Sequence, residues 1–185
     1  MRKNLGAKTF VFPMPVFIIG TYDEAGVANA MNAAWGGISE EKEITICIDD
    51  KHKTAENLMK TGAFTVSVAT ANMAAECDYV GIVSGNDTPD KLEKCGFTTS
   101  KSEFVNAPII NELPMALECK VKLYDKDRCR LVGEIVNISC QEDVLNGDKI
   151  DVEKLKPITY DGSSHVYRVI GEEVARAFSA GKKFN

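Results

Sequence analysis

The segment Asp50-Lys51-His52-Lys53-Thr54 gathers two lysines, an imidazole and a hydroxyl where an alternating apolar stretch gives way to a helical pattern. A helix start leaves its first backbone N–H groups without partners, and its dipole favours negative charge there. With Lys51 and Lys53 added, such a turn would hold a phosphate monoester. The dipole contributes only ~0.3–1 kcal/mol, so the lysines and hydrogen-bond donors would supply most of the affinity. A solvated turn with surface lysines and Thr54 as a plain N-cap satisfies the same local pattern.

A second stretch, Asn29-Ala30-Met31-Asn32-Ala33-Ala34-Trp35-Gly36-Gly37, holds the only tryptophan. Its small residues would let a flat ring approach the backbone, while Asn29 and Asn32 could pair with polar ring edges. The competing reading is a wide loop between two strands, with Trp35 as a core plug and the asparagines in turns. A third stretch, Val80 to Asp87, is a glycine-punctuated passage between two helical patterns, and by itself could be a connector.

Other chemistries lack their residues. There is no GxGxxG and no GxxxxGK[ST], and Gly162-Ser163-Ser164-His165 is not GxSxG. Only two histidines occur, His52 and His165, and no HExxH, so a histidine-rich catalytic metal site cannot be built. His165 reads as a strand-end surface or barrel histidine. The six cysteines form no CxxC pair and read as reduced, mostly buried thiols, with Cys47 packing in an alternating strand.

The elements that must position these stretches are mostly strands. Val16–Tyr22, Ile44–Ile48 and Phe64–Val68 carry β-formers, the last two with period-two alternation. Met115–Leu123 predicts a strand with one dry and one charged face, and Leu131–Cys140 returns from it as a long hairpin. Short strands are expected near Ile158–Tyr160 and Val166–Ile170. Helices are predicted from Ala55 to Thr61 with Gly62 as the stop, from Asn72 to Ile82, and from Thr88-Pro89 to Gly96. With no linker or repeat, residues 1–185 read as one domain. The pattern predicts an antiparallel β-barrel with helical additions, because a doubly wound parallel sheet needs a strand–helix alternation that the second half lacks. Acidic residues outnumber basic ones by 27 to 22, a net charge of −5 that argues against nucleic acid as a partner. The first twenty residues predict no signal peptide, and apolar runs of strand length predict no membrane span.

In order, these stretches resemble the FMN-binding split-barrel proteins of the flavin reductase-like family, and its flavoredoxin-type branch in particular. The matching frame runs from Pro15-Val16 and Ile18 through Gly26, Asn29–Trp35 and Lys51-His52-Lys53-Thr54 to Asn57-Leu58, Thr61-Gly62 and Phe64–Val68. It continues with Asp78-Tyr79-Val80-Gly81, Ser84-Gly85, Asp87, Asp90-Lys91, Ala107-Pro108 and Leu117-Glu118-Cys119. The resemblance implies a mainly β fold with helical additions, a six-stranded antiparallel split β-barrel, assembled as a homodimer with FMN near the subunit interface, while the reduced cysteines predict a cytoplasmic location. It implies that Met31, Asn32, Ala33 and Ala34 line the flavin ring, with Asn29 and Trp35 supporting that loop. Cys47, Ile48 and Asp49 would approach the ring and ribityl chain. Lys51, His52, Lys53 and Thr54 would take the phosphate, and Ser84 and Gly85 would close the pocket.

The implied activity is hydride transfer from NADH or NADPH to the flavin N5, with electrons passed to an acceptor that the sequence does not name. Flavin performs that chemistry, so no catalytic side chain is expected. An FMN electron carrier reduced by a partner protein, and a binding module that has lost the cofactor, are the other readings. The chain departs from the common family pattern at Asn32, where Ser or Thr is frequent, and at Glu40–Glu43, where prolines are common. It also offers Lys51 and Lys53 where arginine often supplies a bidentate fork.

Overall fold

The structure, a computed structural model, describes residues 1–184. The alternating stretches fold as expected. Two strands, β1 (Met14–Pro15) and β2 (Phe17–Tyr22), lead through a turn to β3 (Ala28–Ala33), β4 (Gly36–Glu40) and β5 (Glu43–Cys47). Helix α1 (Lys53–Thr61) ends at Gly62, whose φ of 69° is the left-handed cap that glycine accepts without strain. Strand β6 (Ala63–Val68) follows, then α2 (Ala74–Ile82) and the four-residue α3 (Lys91–Lys94). Next come β7 (Thr99–Lys101), β8 (Pro108–Ile110) and the long hairpin of β9 (Met115–Asp125) and β10 (Arg130–Cys140). Two short strands, β11 (Leu145–Asn146) and β12 (Lys149–Ile150), precede α4 (Val152–Leu155) and a second hairpin, β13 (Ile158–Asp161) with β14 (Val166–Val169).

The main sheet has seven strands in the order β3-β2-β6-β9-β10-β5-β4, and each of these pairs is antiparallel. Its two edges, β3 and β4, are consecutive in sequence and joined only by Ala34 and Trp35. Seven strands laid flat would set the edges about 29 Å apart at ~4.8 Å per strand. The link from Ala33 to Gly36 spans at most about 11 Å. The sheet therefore curls until its edges meet, helped by register shifts in β10 at Val132/Gly133 and Ile135/Asn137 that add local twist. Counted as one bent strand, β3 and β4 make this the antiparallel six-stranded split barrel that was expected. The stretch 29–37, expected as a wide loop, is thus two paired strands and a corner. Trp35 is 52% exposed at that corner and is not a core plug.

Alternation sorts side chains between two cores. Ile19, Ile44, Ile46, Phe64, Val66, Leu117 and Leu131 fill the barrel, with Leu58 of α1 packed into the same cluster. The opposite face of β2 and β3 sends Ile18 and Ala30 to a second core with Cys77 and Val80 of α2 and Ile158 of β13. Three local expectations need correction. Thr54 is not the N-cap of α1: His52 holds that position, and Thr54 lies inside the helix. The third helix covers only Lys91–Lys94, because Pro89 and Asp90 form a turn before it. Glu118 does not belong to a charged solvent face. It is 2% exposed and accepts hydrogen bonds from the Ser102 hydroxyl and, at 2.7 Å, from Asn137 Nδ2.

The tightest approach in the barrel core is that of Gly133 to Phe64, which is fully buried. A Cβ at Gly133 would overlap the ring tip and stand 2.8 Å from Cε1. Because the ring is fully buried in the barrel core, Gly133→Ala is expected to lower stability by ~1–3 kcal/mol through overpacking. Urea unfolding would read this as a lower midpoint with an unchanged slope.

Candidate functional site

The barrel seam opens on a cavity of about 470 Å³. One wall is the bent edge itself, Met31 to Trp35, with Cys47 at the end of β5. Small side chains at Ala33 and Ala34 keep this wall flat. Asp78, Gly81 and Ile82 on α2 form the next wall. Gly81 permits the helix to lie there, since a Cβ would stand 2.7 Å from that of Asn32. Asn32 in turn donates to the Cys77 carbonyl at 3.0 Å, which fixes its side chain against α2.

The remaining wall comes from the β13–β14 hairpin, where Tyr160 and Tyr167 are cross-strand partners with ring centroids 6.0 Å apart. Trp35 lies 6.4 Å from Tyr160, completing an aromatic face. Both phenol tips have partners. Tyr160 Oη and His165 Nδ1 are 2.9 Å apart, and Tyr167 Oη donates to Asp78 at 2.7 Å. Burial, and then the Asp78 carboxylate, raise the Tyr167 phenol well above its usual value, so it stays a hydrogen-bond donor. His165 adopts a φ of 55° at the end of a turn that Asp161 organises. The Asp161 carboxylate accepts from Ser163 N and Oγ, from Ser164 N and from Arg168 Nε.

A second lobe of about 400 Å³ shares Met31, Asn32, His52, Gly81 and Ile82 with the first, so the two form one elongated site. It lies at the start of α1, which no side chain caps. Its walls carry Lys53 and Thr54 from α1, Asn29 from β3, Ser84 and Gly85 beyond α2, and Lys91 from α3. Thr54 is buried and accepts from Asn29 Nδ2 at 2.9 Å, which ties the helix start to the edge strand. Lys53 Nζ reaches Glu56 at 3.2 Å. A carboxylate-poor lobe with ammonium, hydroxyl and free helix N–H groups suits an oxyanion, and the aromatic lobe suits a flat ring.

The structure brings together Asn29, Met31, Asn32, Ala33, Ala34, Cys47, His52, Lys53, Thr54, Ser84 and Gly85 along this elongated site. Three expected residues stand apart. Ile48 is buried in the barrel core, Asp49 accepts from Lys51 N within the turn, and Lys51 is exposed with its carbonyl held by Asn86. Cys47 is exposed on the cavity wall instead of packed, whereas burial pushes the thiols of Cys77 and Cys119 up to about 12. His165, expected away from the site, lines it. The sequence reading missed Asp78, Gly81, Ile82, Tyr160, Tyr167 and Lys91 as well. A cross-strand register for the second hairpin would have faced Tyr160 with Tyr167. Among the described residues no group of three or more metal-ligating side chains occurs, and no helix is long and apolar enough to cross a membrane.

Comparison with known proteins gives the same outline. The family model of the flavin reductase like domain matches residues 9–165. The structure of flavoredoxin from Desulfovibrio vulgaris (Miyazaki F) is 36% identical, with a TM-score of 0.94 over 98% of this chain and 100% of that one. A flavoredoxin from Methanosarcina acetivorans is 26% identical, with a TM-score of 0.90 and complete coverage of both chains. An FMN-binding protein from Thermus thermophilus shares the fold at 19% identity, with a TM-score of 0.75 over 95% of this chain and 99% of that one.

The Asp161 turn yields a prediction in pH. The Ser163 hydroxyl, then Arg168 and the N–H groups of Ser163 and Ser164, hold the Asp161 carboxyl far below the usual range despite its desolvation. A value lowered by folding stabilises the native state above the ordinary carboxylate range, and that stability is lost as pH falls through the folded value. Carboxyl NMR is expected to find Asp161 still ionised where ordinary aspartates have titrated. Asp161→Ala should release the turn and broaden the His165 resonances.

Proposed function

The chain belongs to the flavin reductase-like family, and from that premise we propose that it is an FMN-binding oxidoreductase drawing a hydride from NADH or NADPH and passing electrons to an acceptor. The observation that carries this reading is the two-ended site: a lobe of cationic and hydroxyl donors at an uncapped helix start, continuous with a lobe of flat and aromatic walls. Riboflavin phosphate has one anionic end and one flat end. The donor set fits it, because His52, Lys53, Thr54, Ser84 and Lys91 supply donors at one end, while Met31, Ala33 and Ala34 leave a smooth surface at the other.

When bound, FMN supplies the capacity to accept a hydride and release electrons. The chain's own residues bind, orient and limit access. The α1 N-terminus and Thr54 hold the anionic end, with Asn29 fixing the helix in place. Met31 to Ala34 support the ring, and Asn32 and Tyr167 present polar groups whose orientation Cys77 O and Asp78 set. The exposed rim, with Trp35 at 52% and Ile82 at 74%, leaves one side open to a nicotinamide or to a partner. The reading includes a homodimer, favoured by the exposed Val174, Phe178 and Phe184 of the C-terminal segment. It also includes a reducing, cytoplasmic setting that suits the free cysteines.

Likeness to flavoredoxin over nearly the whole chain favours a second reading, an FMN electron carrier reduced by another protein. One experiment separates the two. The purified protein is expected to be yellow and to bleach anaerobically with NADH or NADPH. Bleaching only with dithionite would assign the carrier role, and a colourless chain that ignores added FMN would overturn the cofactor assignment.

A further inference from the structure

Beyond the aromatic lobe lies a further cavity, of about 430 Å³, that the flavin reading does not use. Trp35, Tyr160 and His165 line both spaces, so one layer of rings serves as a wall for each. The outer cavity is closed by the N-terminal segment at Lys8, Thr9 and Phe10, and by the turn at Gly162 and Ser163. Strand pairing places that segment. Met14 and Pro15 of β1 pair with Tyr160 and Thr159 of β13, and Thr159 Oγ1 donates to Met14 O at 2.8 Å. The residues before β1 therefore run beside the second hairpin. Phe10 reaches the turn there, since a Cβ at Gly162 would stand 3.9 Å from its Cδ1.

The walls combine flat faces with donors of one sign. Phe10, Trp35 and Tyr160 are aromatic, Lys8 brings a positive charge, and no carboxylate of the described residues lines the space. Lys8 forms no ion pair with any described residue. The carboxylate that organises the turn, Asp161, is spent on Ser163, Ser164 and Arg168. His165 engages Tyr160 through Nδ1, which leaves Nε2 for another partner, and Thr9 adds a hydroxyl. Small-molecule sites are typically cavities of ~300–1,000 Å³ with mostly apolar walls and a few polar groups that fix orientation. A cation would meet Lys8 and find no carboxylate here. An aliphatic acid would leave the aromatic faces unmatched.

We infer that this outer cavity binds a small aromatic carboxylate, with its ring against Phe10, Trp35 and Tyr160 and its carboxylate toward Lys8, Thr9 and His165. The rings supply most of the affinity. Lys8 is exposed, so solvent and salt screen it, and its main effect is to select the sign of the ligand's charge. The site uses no atom of a flavin, so it stands independently of the FMN reading.

The test uses the purified full-length protein, with any flavin it carries, and follows the fluorescence of Trp35, the only tryptophan. The probes are benzoate, benzamide and cyclohexanecarboxylate. Benzoate is expected to bind saturably and about 3- to 5-fold more tightly than benzamide, the margin that an exposed ion pair supplies. It should also bind about 3- to 10-fold more tightly than cyclohexanecarboxylate, through contact between aromatic rings. High salt should narrow the margin over benzamide. Lys8→Met should remove that margin and Lys8→Arg should keep it, and the side chain is exposed, so neither change disturbs the core.

Absence of saturable binding, equal affinity for benzamide, or a margin unchanged in Lys8→Met overturns the inference. Release of flavin by benzoate does so too, because the probe would then occupy the inner lobe. A Trp35 signal that follows protein dilution and ignores benzoate would assign the cavity to a second copy of the chain, and equally overturn it. None of these outcomes bears on the FMN reading, which bleaching of the flavin decides separately.

Discussion

The two-residue link between β3 and β4 governs the rest of this molecule. Because Ala34 and Trp35 must join opposite edges of a seven-stranded sheet, the sheet has to roll into a barrel. The same link prevents the seam from being hydrogen-bonded like an ordinary strand pair. Trp35 O accepts from Cys47 N at 2.8 Å, and Gly36 then pairs with Ile46, so the chain commits to β5 as soon as it turns the corner. What remains at the split is an opening with β-structure on its floor. The elongated site is that opening, closed on one flank by α2 and on the other by the β13–β14 hairpin.

Helix placement follows from the edge strand. Odd and even residues of β3 face different neighbours, as any strand requires. Asn29 meets Thr54 of α1, and Asn32 meets the Cys77 carbonyl of α2. Two asparagines three residues apart therefore fix two helices to one strand. Glycines allow the close approach: a Cβ at Gly81 would press on Asn32, and one at Gly85 would overlap Asn29. The start of α1 and the end of α2 thus converge, with their dipoles pointing opposite partial charges at neighbouring space. The α1 end is left free for an anion, while Lys91 neutralises the α2 end.

Strands with conventional alternation were legible in the sequence, because Ile44, Ile46 and Ile48 state their buried face directly, while the β-formers of Phe64–Val68 mark a strand that the fold buries on both faces. The edge strand was not. Ala28 to Ala33 contains no β-branched residue, and alanine and asparagine are weak strand formers. Pairing with β2 along its whole length overrides that preference, and the small residues are there because a helix and a cavity press on the strand. Thr54 resembled a cap for a similar reason. A hydroxyl at a helix start can cap the backbone or accept from a distant side chain, and only the fold reveals Asn29 beside it. The cationic turn was found from local chemistry, whereas Tyr160, His165 and Tyr167 are more than a hundred residues away in sequence. Only the docking of the second hairpin across the seam unites them with Trp35.

Charge is distributed unevenly between the two ends of the site, so the anion binding proposed above does not conflict with an acidic chain. The net charge of −5 resides mostly on exposed side chains, where solvent and salt screen it within about 10 Å. At the smaller lobe, the helix start, Lys53 and the buried Lys91 would face such an anion at contact distance, where local donors outweigh the overall sign. The aromatic lobe has no such asymmetry: its phenols and imidazole are paired among themselves and with Asp78, leaving surfaces instead of charges. In the proposed reading, affinity and selectivity belong to the enclosed lobe at the start of α1. Exchange with the outside belongs to the open rim at Trp35 and Ile82, where a flat group can be approached without breaking any contact that holds its tail.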